Sequence, residues 1–248
     1  MPASIDARLL EQSRLWSAKP TLRAIYSDFH QRLEAACPAG ILLDIGGGSA
    51  HFKNYRPDVV SLDIQSFAGI DVVADAHLMP FADATFGGVV MLDVLHHLQR
   101  PVDFLREARR VLKPGGRIAM IEPGMSVASE QFYSRFHHEP VDMCADPFSE
   151  DRVQSSTDPW DANQAIPTLM FGTEARRRRL EEAVCGMKII SAHWLSLFAY
   201  PLSGGFKPWC LVPEKVTRPL IALEARLLPL LGPLLAFRLF VVLERVDG

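Results

Sequence analysis

The chain has 248 residues, of which 48% are hydrophobic, and a formal net charge of −3. This length suits one large domain with insertions and a sizeable core. The negative charge argues against a protein that binds nucleic acid through bulk positive charge. The four cysteines are scattered without a CxxC pair, which argues against a disulfide framework or a zinc site and favours a reducing compartment.

The first segment, residues 1–39, is predicted to form N-terminal helices. It places apolar residues at helical spacing from Leu22 to Leu33 and lacks the apolar segment of a secretory signal. In the last part of the chain the longest uncharged run, Leu227 to Phe237, is far below the ~20 residues that a membrane-spanning helix needs. We therefore expect a cytoplasmic protein.

A parallel sheet is predicted for residues 40–122. Apolar segments alternate there with loops and a helical segment at 101–112, which is typical of βαβ units. The five predicted strands are 41–45, 59–63, 70–75, 88–93 and 117–122. An acidic residue stands at or near the end of each strand, in order Asp44, Asp63, Asp75, Asp93 and Glu122. Because ligands of such sheets bind at the carboxyl ends of the strands, we expect these acids to share the functional edge.

A glycine loop, Gly46-Gly47-Gly48, follows the first of these strands. Glycine permits a positive φ and leaves no Cβ between the backbone and a ligand. On its own this loop indicates a nucleotide-type ligand without saying which one. The segment from Gly48 to Asp63 is short, so the helix that follows the loop is expected to be brief or distorted.

The rest of the chain is less regular. Residues 173–185 are predicted to be helical, and residues 188–200 and 237–244 are predicted to be strands. Residues 123–170 are rich in Pro, Asp, Ser and aromatic residues, and we expect them to form a cap over the active site. Residues 201–236 form a second, Leu-rich insertion between the last two strands.

Four landmarks, taken in order, resemble the class I S-adenosylmethionine-dependent methyltransferases, in the branch with small-molecule substrates. They are Leu43-Asp44-Ile45-Gly46-Gly47-Gly48, Asp63, Ala74-Asp75-Ala76 with Leu78-Met79-Pro80-Phe81, and Arg110-Val111-Leu112-Lys113-Pro114-Gly115-Gly116. The resemblance implies one domain over residues 1–248, with a doubly wound, mostly parallel α/β sheet of seven strands whose last strand is antiparallel. Ala50 departs from the pattern, because the family often has a glycine there.

The resemblance also implies S-adenosylmethionine as cofactor and S-adenosylhomocysteine as product. Asp63 is expected to accept hydrogen bonds from vicinal ribose hydroxyls, Asp75 to contact the adenine, and Asp44 to lie near the methionine part. The expected cofactor-binding residues are Asp44, Gly46, Gly47, Gly48, Asp63, Ile64, Asp75, Ala76, Asp93 and Leu95.

Candidates for acid–base work on the acceptor are His97, His96, Glu122 and His138. The first two follow the fourth strand near the expected methyl group, although either one could simply pack at the start of the next helix. Histidine suits a general base for a hydroxyl nucleophile. The segment from His137 to Asp146 fits no zinc pattern well, so no metal site is expected.

The expected reaction is methyl transfer to a small-molecule or lipid-like acceptor by in-line displacement, helped mainly by positioning. One alternative is a protein that binds the cofactor without catalysis. Another is a nicotinamide-dependent oxidoreductase, which needs glycine where His51 stands. No nucleic-acid substrate is expected, because no Asn-Pro-Pro-Tyr or Asp-Pro-Pro-Tyr box follows the fourth strand. The Leu-rich insertion is a candidate homodimer surface, with membrane contact less favoured.

Overall fold

A computed structural model describes residues 6–149, 158 and 160–247, and its central feature is a sheet of seven strands. The strands are β1 (Leu42–Ile45), β2 (Val60–Asp63), β3 (Val72–Val73), β4 (Phe86–Leu92), β5 (Leu112–Pro123), β6 (Met187–Leu195) and β7 (Arg238–Arg245). They lie in the order β3-β2-β1-β4-β5-β7-β6. β7 runs antiparallel to β5 and β6, while the other neighbours are parallel. The predicted fold class is confirmed.

Helices connect these strands and cover both faces of the sheet. They are α1 (Ala7–Ala18), α2 (Pro20–Ala36), α3 (His51–Tyr55), α4 (Pro101–Val111), α5 (Val127–Phe136), α6 (Ile166–Phe171), α7 (Glu174–Ala183), α8 (Ala199–Ser203) and α9 (Glu214–Leu235). A short 3-10 turn covers Leu95–His97. The predicted N-terminal helices are therefore present.

The core lies on both faces of the central strands. Val89 of β4 belongs to a cluster with Phe104 of α4 and Phe171 of α6. The next residue, Val90, belongs to a second cluster that includes Leu22 of α2. Because β4 is covered on both faces, its sequence is a continuous apolar run rather than an alternating one.

The strand predicted for residues 188–200 is too long. β6 ends at Leu195, because Ser196 takes a left-handed φ of 57° and the chain then enters α8. The Glu224 carboxylate of α9 accepts hydrogen bonds from the backbone N–H groups of Phe198 and Ala199. These N–H groups would otherwise be unsatisfied at the start of the helix, so α9 fixes the end of the strand.

The predicted cap over residues 123–170 is partly core. All six residues of α6 are buried, and the Thr168 hydroxyl accepts a hydrogen bond of 2.8 Å from the N–H of Met125. This helix therefore supports the sheet. Residues 150–157 and 159 of the predicted cap lie outside the described residues.

Helix α9 fills most of the second insertion and presents apolar side chains to solvent. Val216, Leu223, Leu230 and Leu234 are 47% to 77% exposed. Within the residues that the structure describes, no helix is long and apolar enough to cross a membrane. Homodimer or membrane contact through this surface stays a prediction.

Lys19 ties the second insertion to the N-terminal helices. It lies between α1 and α2 and is 7% exposed. Its ammonium donates to the backbone carbonyl oxygens of Ser203, Gly205, Lys207 and Trp209, at N···O distances of 2.6–2.9 Å. The loop after α8 is therefore held to the N-terminal helices by one buried cation.

The Lys19→Met variant tests this tether. Methionine fills a similar volume but leaves four carbonyl oxygens without their donor, and an unsatisfied buried group costs about 1–3 kcal/mol. We expect the free energy of unfolding, measured by urea denaturation, to fall by about 3 kcal/mol. The control is Lys215→Met on the exposed side of α9, which should change it by less than about 0.5 kcal/mol. Equal effects of the two changes would contradict the tether.

Candidate functional site

The glycine loop after β1 packs tightly against its neighbours. Gly46 has a φ of +69°, and a Cβ there would overlap the side chain of Val94. A Cβ on Gly47 would overlap the Ser61 hydroxyl and lie 2.8 Å from Ile70 Cδ1. The close approach of β2 and of the segment after β4 therefore requires glycine at both positions.

The departure at Ala50 has a structural cost. Ala50 takes a φ of 61°, a left-handed conformation that costs an alanine roughly 1–2 kcal/mol. Helix α3 then has only five residues, so the predicted brief helix is confirmed. His51 stacks on Trp16 of α1, with ring centroids 3.8 Å apart. An imidazole therefore fills the position where the nicotinamide fingerprint needs glycine.

Two backbone N–H groups orient the carboxylate of Asp63 at the end of β2. Its Oδ2 accepts a hydrogen bond of 2.8 Å from the N–H of Gly48, and its Oδ1 accepts one of 2.8 Å from the N–H of Gln65. Each carboxylate oxygen has a further lone pair for another donor. The side chain borders a cavity, so the two oxygens are placed to accept from two adjacent hydroxyls.

Asp44 lies beneath the loop and is 5% exposed. Burial raises the pKa of Asp44 to about 7, because the hydrogen bond of 3.1 Å from the Ser61 hydroxyl offsets only part of the desolvation and the nearby Asp63 adds to it. The carboxyl group is thus close to its titration midpoint at neutral pH.

Asp75 lies beyond β3 at the edge of the sheet. Its Oδ1 accepts hydrogen bonds from the N–H of His77 at 2.9 Å and from the His77 ring at 2.6 Å. The carboxylate is 57% exposed. Ile64 and Ala76 border the same cavity as Asp75. The structure therefore places these predicted cofactor-binding residues around the same cavity as Asp63.

Asp93 is engaged by a residue that the sequence did not single out as functional. It has a φ of 60° and forms an ion pair with Arg238, a buried side chain at the start of β7. The guanidinium of Arg238 also lies 4.0 Å from the centroid of the Tyr200 ring. Burial opposes the charge of Arg238, but Asp93 and nearby tyrosines outweigh it and raise the pKa of Arg238. In the sequence, the signal that could have identified Arg238 is its place as an arginine at the start of an apolar strand.

Glu122 does not border the cavity. It is 0% exposed and accepts hydrogen bonds of 2.8 Å from the N–H groups of Val94 and Leu95 and of 2.7 Å from His96 Nδ1. This carboxylate positions the segment after β4. Leu95 is fully buried with its N–H used in this way, so the geometry does not support the cofactor contact expected from it.

The two adjacent histidines differ in charge. Burial would lower the pKa of His96, but the carboxylates of Glu122 and Glu139 outweigh it and raise that pKa to about 10. Burial lowers the pKa of His97 to about 4, and the neighbouring His96 cation adds to this. His97 Nδ1 lies 3.3 Å from the backbone oxygen of Asp161, and its ring borders the cavity. A neutral imidazole therefore faces the ligand space beside a cationic one.

His138 and Glu139 occupy different environments. The side chain of His138 is 68% exposed, and its Nε2 lies 3.5 Å from Glu139 Oε1. Glu139 is 11% exposed, and its carboxylate accepts a hydrogen bond from Gln164 Nε2. Of the two cap residues, Glu139 is thus the one built into the site.

One cavity of about 1100 Å³ joins most of these groups, and Glu122 and Leu95 lie behind its wall. The glycine loop and strand-end acids border it, and so does a set of aromatic side chains. These aromatic residues include Phe132, Tyr133, Phe136, Tyr200, Phe206 and Phe237. Sequence reasoning missed them, although Phe132 and Phe136 share one face of a helix. Ligand cavities commonly measure ~300–1000 Å³, so this one has room for a cofactor and a second molecule.

Residues 43–120 match the protein family described as "Methyltransferase domain". Over these residues the chain is similar to the class I S-adenosylmethionine-dependent methyltransferases. A solved structure from Thermotoga maritima, described as a SAM-dependent methyltransferase and possible histamine N-methyltransferase, covers 97% of each chain with a TM-score of 0.55 and 14% identity. This likeness shows the common fold.

Two curated proteins match this chain over shorter stretches. The 27-O-demethylrifamycin SV methyltransferase of Amycolatopsis mediterranei is 47% identical over 71 residues, 29% of this chain and 24% of that protein. The mitochondrial 2-methoxy-6-polyprenyl-1,4-benzoquinol methylase of Caenorhabditis elegans is 27% identical over 141 residues, 56% of this chain and 44% of that protein. The matched parts are therefore less than half of either relative.

The family's cofactor fits the residues that are present. S-Adenosylmethionine carries vicinal hydroxyls and cationic groups. The site offers an oriented carboxylate at Asp63, a buried carboxyl at Asp44 and a loop whose glycines leave no Cβ. This donor and acceptor set matches the cofactor's own groups.

The Asp44→Asn variant tests the desolvation of the buried acid. The folded pKa of Asp44, about 7, exceeds the unfolded value of 3.8, so the native state holds a proton that the unfolded state loses as the pH rises between them. The buried Asp44 therefore lowers the free energy of unfolding of the wild type, and this effect is absent below pH 4 and complete above pH 7. We expect the variant to be more stable than the wild type at pH 8, by on the order of 3 kcal/mol in urea denaturation, and equal to it near pH 4. An equal gain at both pH values would contradict the assignment.

Proposed function

We propose that this protein transfers a methyl group from S-adenosylmethionine to a small-molecule or lipid-like acceptor that carries a hydroxyl group. The observation that supports the proposal is the continuity of the cavity. Asp63 and the glycine loop border the same cavity as the aromatic side chains and His97. Two ligands can therefore meet in one space.

In this proposal the cofactor lies beside Asp63 and the glycine loop. Asp63 would accept hydrogen bonds from the ribose hydroxyls, and Asp75, with Ile64 and Ala76 beside it, would contact the adenine. Asp44, the glycine loop and the backbone near Asp93 would face the methionine part. When bound, S-adenosylmethionine supplies a methyl carbon that is already electrophilic, so the protein contributes mainly by aligning the acceptor with it.

The aromatic part of the cavity would hold the acceptor. Phe132, Tyr133 and Phe237 offer flat apolar surfaces, and the ring of Tyr133 is edge-on to Phe237 with centroids 5.7 Å apart. Such surfaces favour a planar or hydrocarbon-rich molecule. Both curated relatives are named for organic acceptors, a demethylrifamycin and a polyprenyl benzoquinol, which supports a small organic acceptor here.

His97 is the residue that we assign to the acceptor's attacking group. Its imidazole is neutral at physiological pH, and the Nδ1 contact with Asp161 leaves Nε2 with its lone pair. By contrast, His96 is cationic and paired, Glu122 is saturated by three donors, and His138 is largely exposed. Of the four predicted candidates, His97 therefore has the chemistry that a hydroxyl acceptor needs.

The Asp63→Ala variant tests the cofactor half. We expect it to weaken S-adenosylmethionine binding at least ~10-fold in isothermal titration, a loss of about 1.4 kcal/mol, because the ribose hydroxyls lose a charged acceptor. Asp58→Ala, whose side chain is 73% exposed before β2, is the control and should bind normally. Binding of NADH in place of S-adenosylmethionine would overturn the assignment.

The His97→Ala variant tests the acceptor half. Methyl-labelled S-adenosylmethionine and an extract of the cells that make the protein would first identify an acceptor. On that acceptor we expect His97→Ala to lower kcat ~100-fold, in the range of acid–base contributions, without weakening cofactor binding. His138→Ala is the control and should retain activity within about twofold.

Two outcomes would contradict this part of the proposal. An equal loss of kcat in the two histidine variants would remove the special role of His97. Cofactor binding without transfer of label to any acceptor would favour the alternative of a non-catalytic binding protein.

A further inference from the structure

Three side chains at the wall of the cavity are arranged like a set of metal ligands. His96, His97 and Glu139 each offer one ligand atom, and these atoms lie within 4.8 Å of one another. His96 Nε2 is 3.7 Å from Glu139 Oε2. In a tetrahedral site with bonds of about 2.05 Å, ligand atoms are about 3.4 Å apart, so this pair needs to move by only a few tenths of an ångström.

The second nitrogen of each histidine is already held by an oxygen atom. His96 Nδ1 lies 2.7 Å from the Glu122 carboxylate, and His97 Nδ1 lies 3.3 Å from the backbone oxygen of Asp161. Metal-binding histidines commonly donate their other N–H to a carboxylate or a carbonyl in this way, which fixes the tautomer. In this arrangement Nε2 is the ligand atom of each ring.

The carboxylates provide the matching charge. Glu122 and Glu139 bring two negative charges to the single ring of His96. The neighbouring Asp93 is already neutralised by Arg238. A divalent ion bound beside His96 would be attracted by both the Glu122 and the Glu139 carboxylates.

Gln164 supports Glu139 from behind. It is 3% exposed, and its Nε2 donates to the Glu139 carboxylate. Its Oε1 borders the cavity wall as a buried acceptor with no hydrogen-bond partner among the described residues. The N–H of the adjacent Asn163 donates to the backbone oxygen of His96 at 3.0 Å. The segment that contains Asn163 and Gln164 is thus anchored to the 3-10 turn at Leu95–His97.

We propose that His96 Nε2, His97 Nε2 and Glu139 bind one divalent transition-metal ion, with release of the proton from His96. Two imidazoles and one carboxylate with open coordination positions suit ions such as Zn²⁺, Fe²⁺ or Co²⁺. A second grouping, of Asp93, His96 and Glu122, is less suitable, because Arg238 and the backbone N–H groups already use its carboxylates.

The ion would act on the acceptor's attacking group, and this part rests on the proposed function. A hydroxyl oxygen bound at an open position becomes more acidic, because the cation stabilises the oxyanion. His97 would then act on the acceptor through the metal. An acceptor with neighbouring oxygen atoms, such as a catechol or a hydroxy-ketone, could occupy two open positions.

Cobalt titration tests the site without cofactor or acceptor. The full chain, without a histidine tag and after treatment with a chelator, is titrated with Co²⁺, whose visible ligand-field absorption reports nitrogen and oxygen ligands. We expect absorption that saturates at one equivalent and is lost when Zn²⁺ is added. Wild-type protein that shows no such band would overturn the proposal.

Variants locate the ligands. We expect His97→Ala and Glu139→Gln each to weaken Co²⁺ binding at least ~100-fold, and Glu122→Gln to weaken it ~10- to 100-fold through His96. His138→Ala, on the exposed neighbour, is the matched control and should bind as the wild type does. Thermal unfolding checks that each variant is folded. His97→Ala and Glu139→Gln are the decisive variants, because substitution of the fully buried Glu122 could also impair folding.

Unchanged binding in both His97→Ala and Glu139→Gln would also overturn the site. Because the titration contains no S-adenosylmethionine, its failure is distinct from failure of the proposed function. The proposed function is decided by cofactor titration and label transfer.

Discussion

The buried carboxylate of Glu122 is the contact on which the geometry of the site depends. The chain leaves β4 after Leu92, and the N–H groups of Val94 and Leu95 have no strand partner there. Glu122, at the end of the neighbouring β5, accepts both of them and also holds His96. A carboxylate without donors would be costly at 0% exposure, and its three donors make it stable. One side chain thus ties two strand ends and a histidine into a single unit.

The contacts of Glu122 also explain why the loop after β1 needs glycine. Glu122 fixes the backbone of Val94, and the Val94 side chain occupies the space where a Cβ of Gly46 would lie. The glycine is therefore required by a protein contact, in addition to any ligand that approaches the loop. On the other side, Ser61 limits Gly47 in the same way and binds Asp44. The glycine loop, Asp44 and the 3-10 turn at Leu95–His97 are therefore linked through direct contacts.

The sequence predicted the parts whose causes are local. Continuous apolar runs identified the central strands, because strands covered on both faces need no polar alternation. The acids at the strand ends located the cavity, and Asp63 and Asp75 do border it. The short α3 followed from counting residues between Gly48 and Asp63.

The parts that were missed depend on distant residues. β6 ends early because Glu224, 26 residues beyond Phe198, captures the next backbone N–H groups. Arg238 pairs with Asp93 from 145 residues away, and Glu139 gains its buried setting from Gln164. Periodicity in one sequence carries no signal for such pairs, so the acceptor side of the site had to be read from the structure.

The contacts that hold the walls of the cavity differ in burial. The loop after α8 is held by the buried ammonium of Lys19, which is surrounded by four carbonyl oxygens. Between α1 and the residues Asp158 and Trp160, the contacts include an exposed ion pair of Arg8 with Asp158 and a partly buried hydrogen bond from Trp160 Nε1 to Asp6. Solvent-exposed ion pairs contribute little because water and salt screen them. The buried ammonium of Lys19 therefore contributes more to holding the cavity wall than the exposed ion pair of Arg8 does.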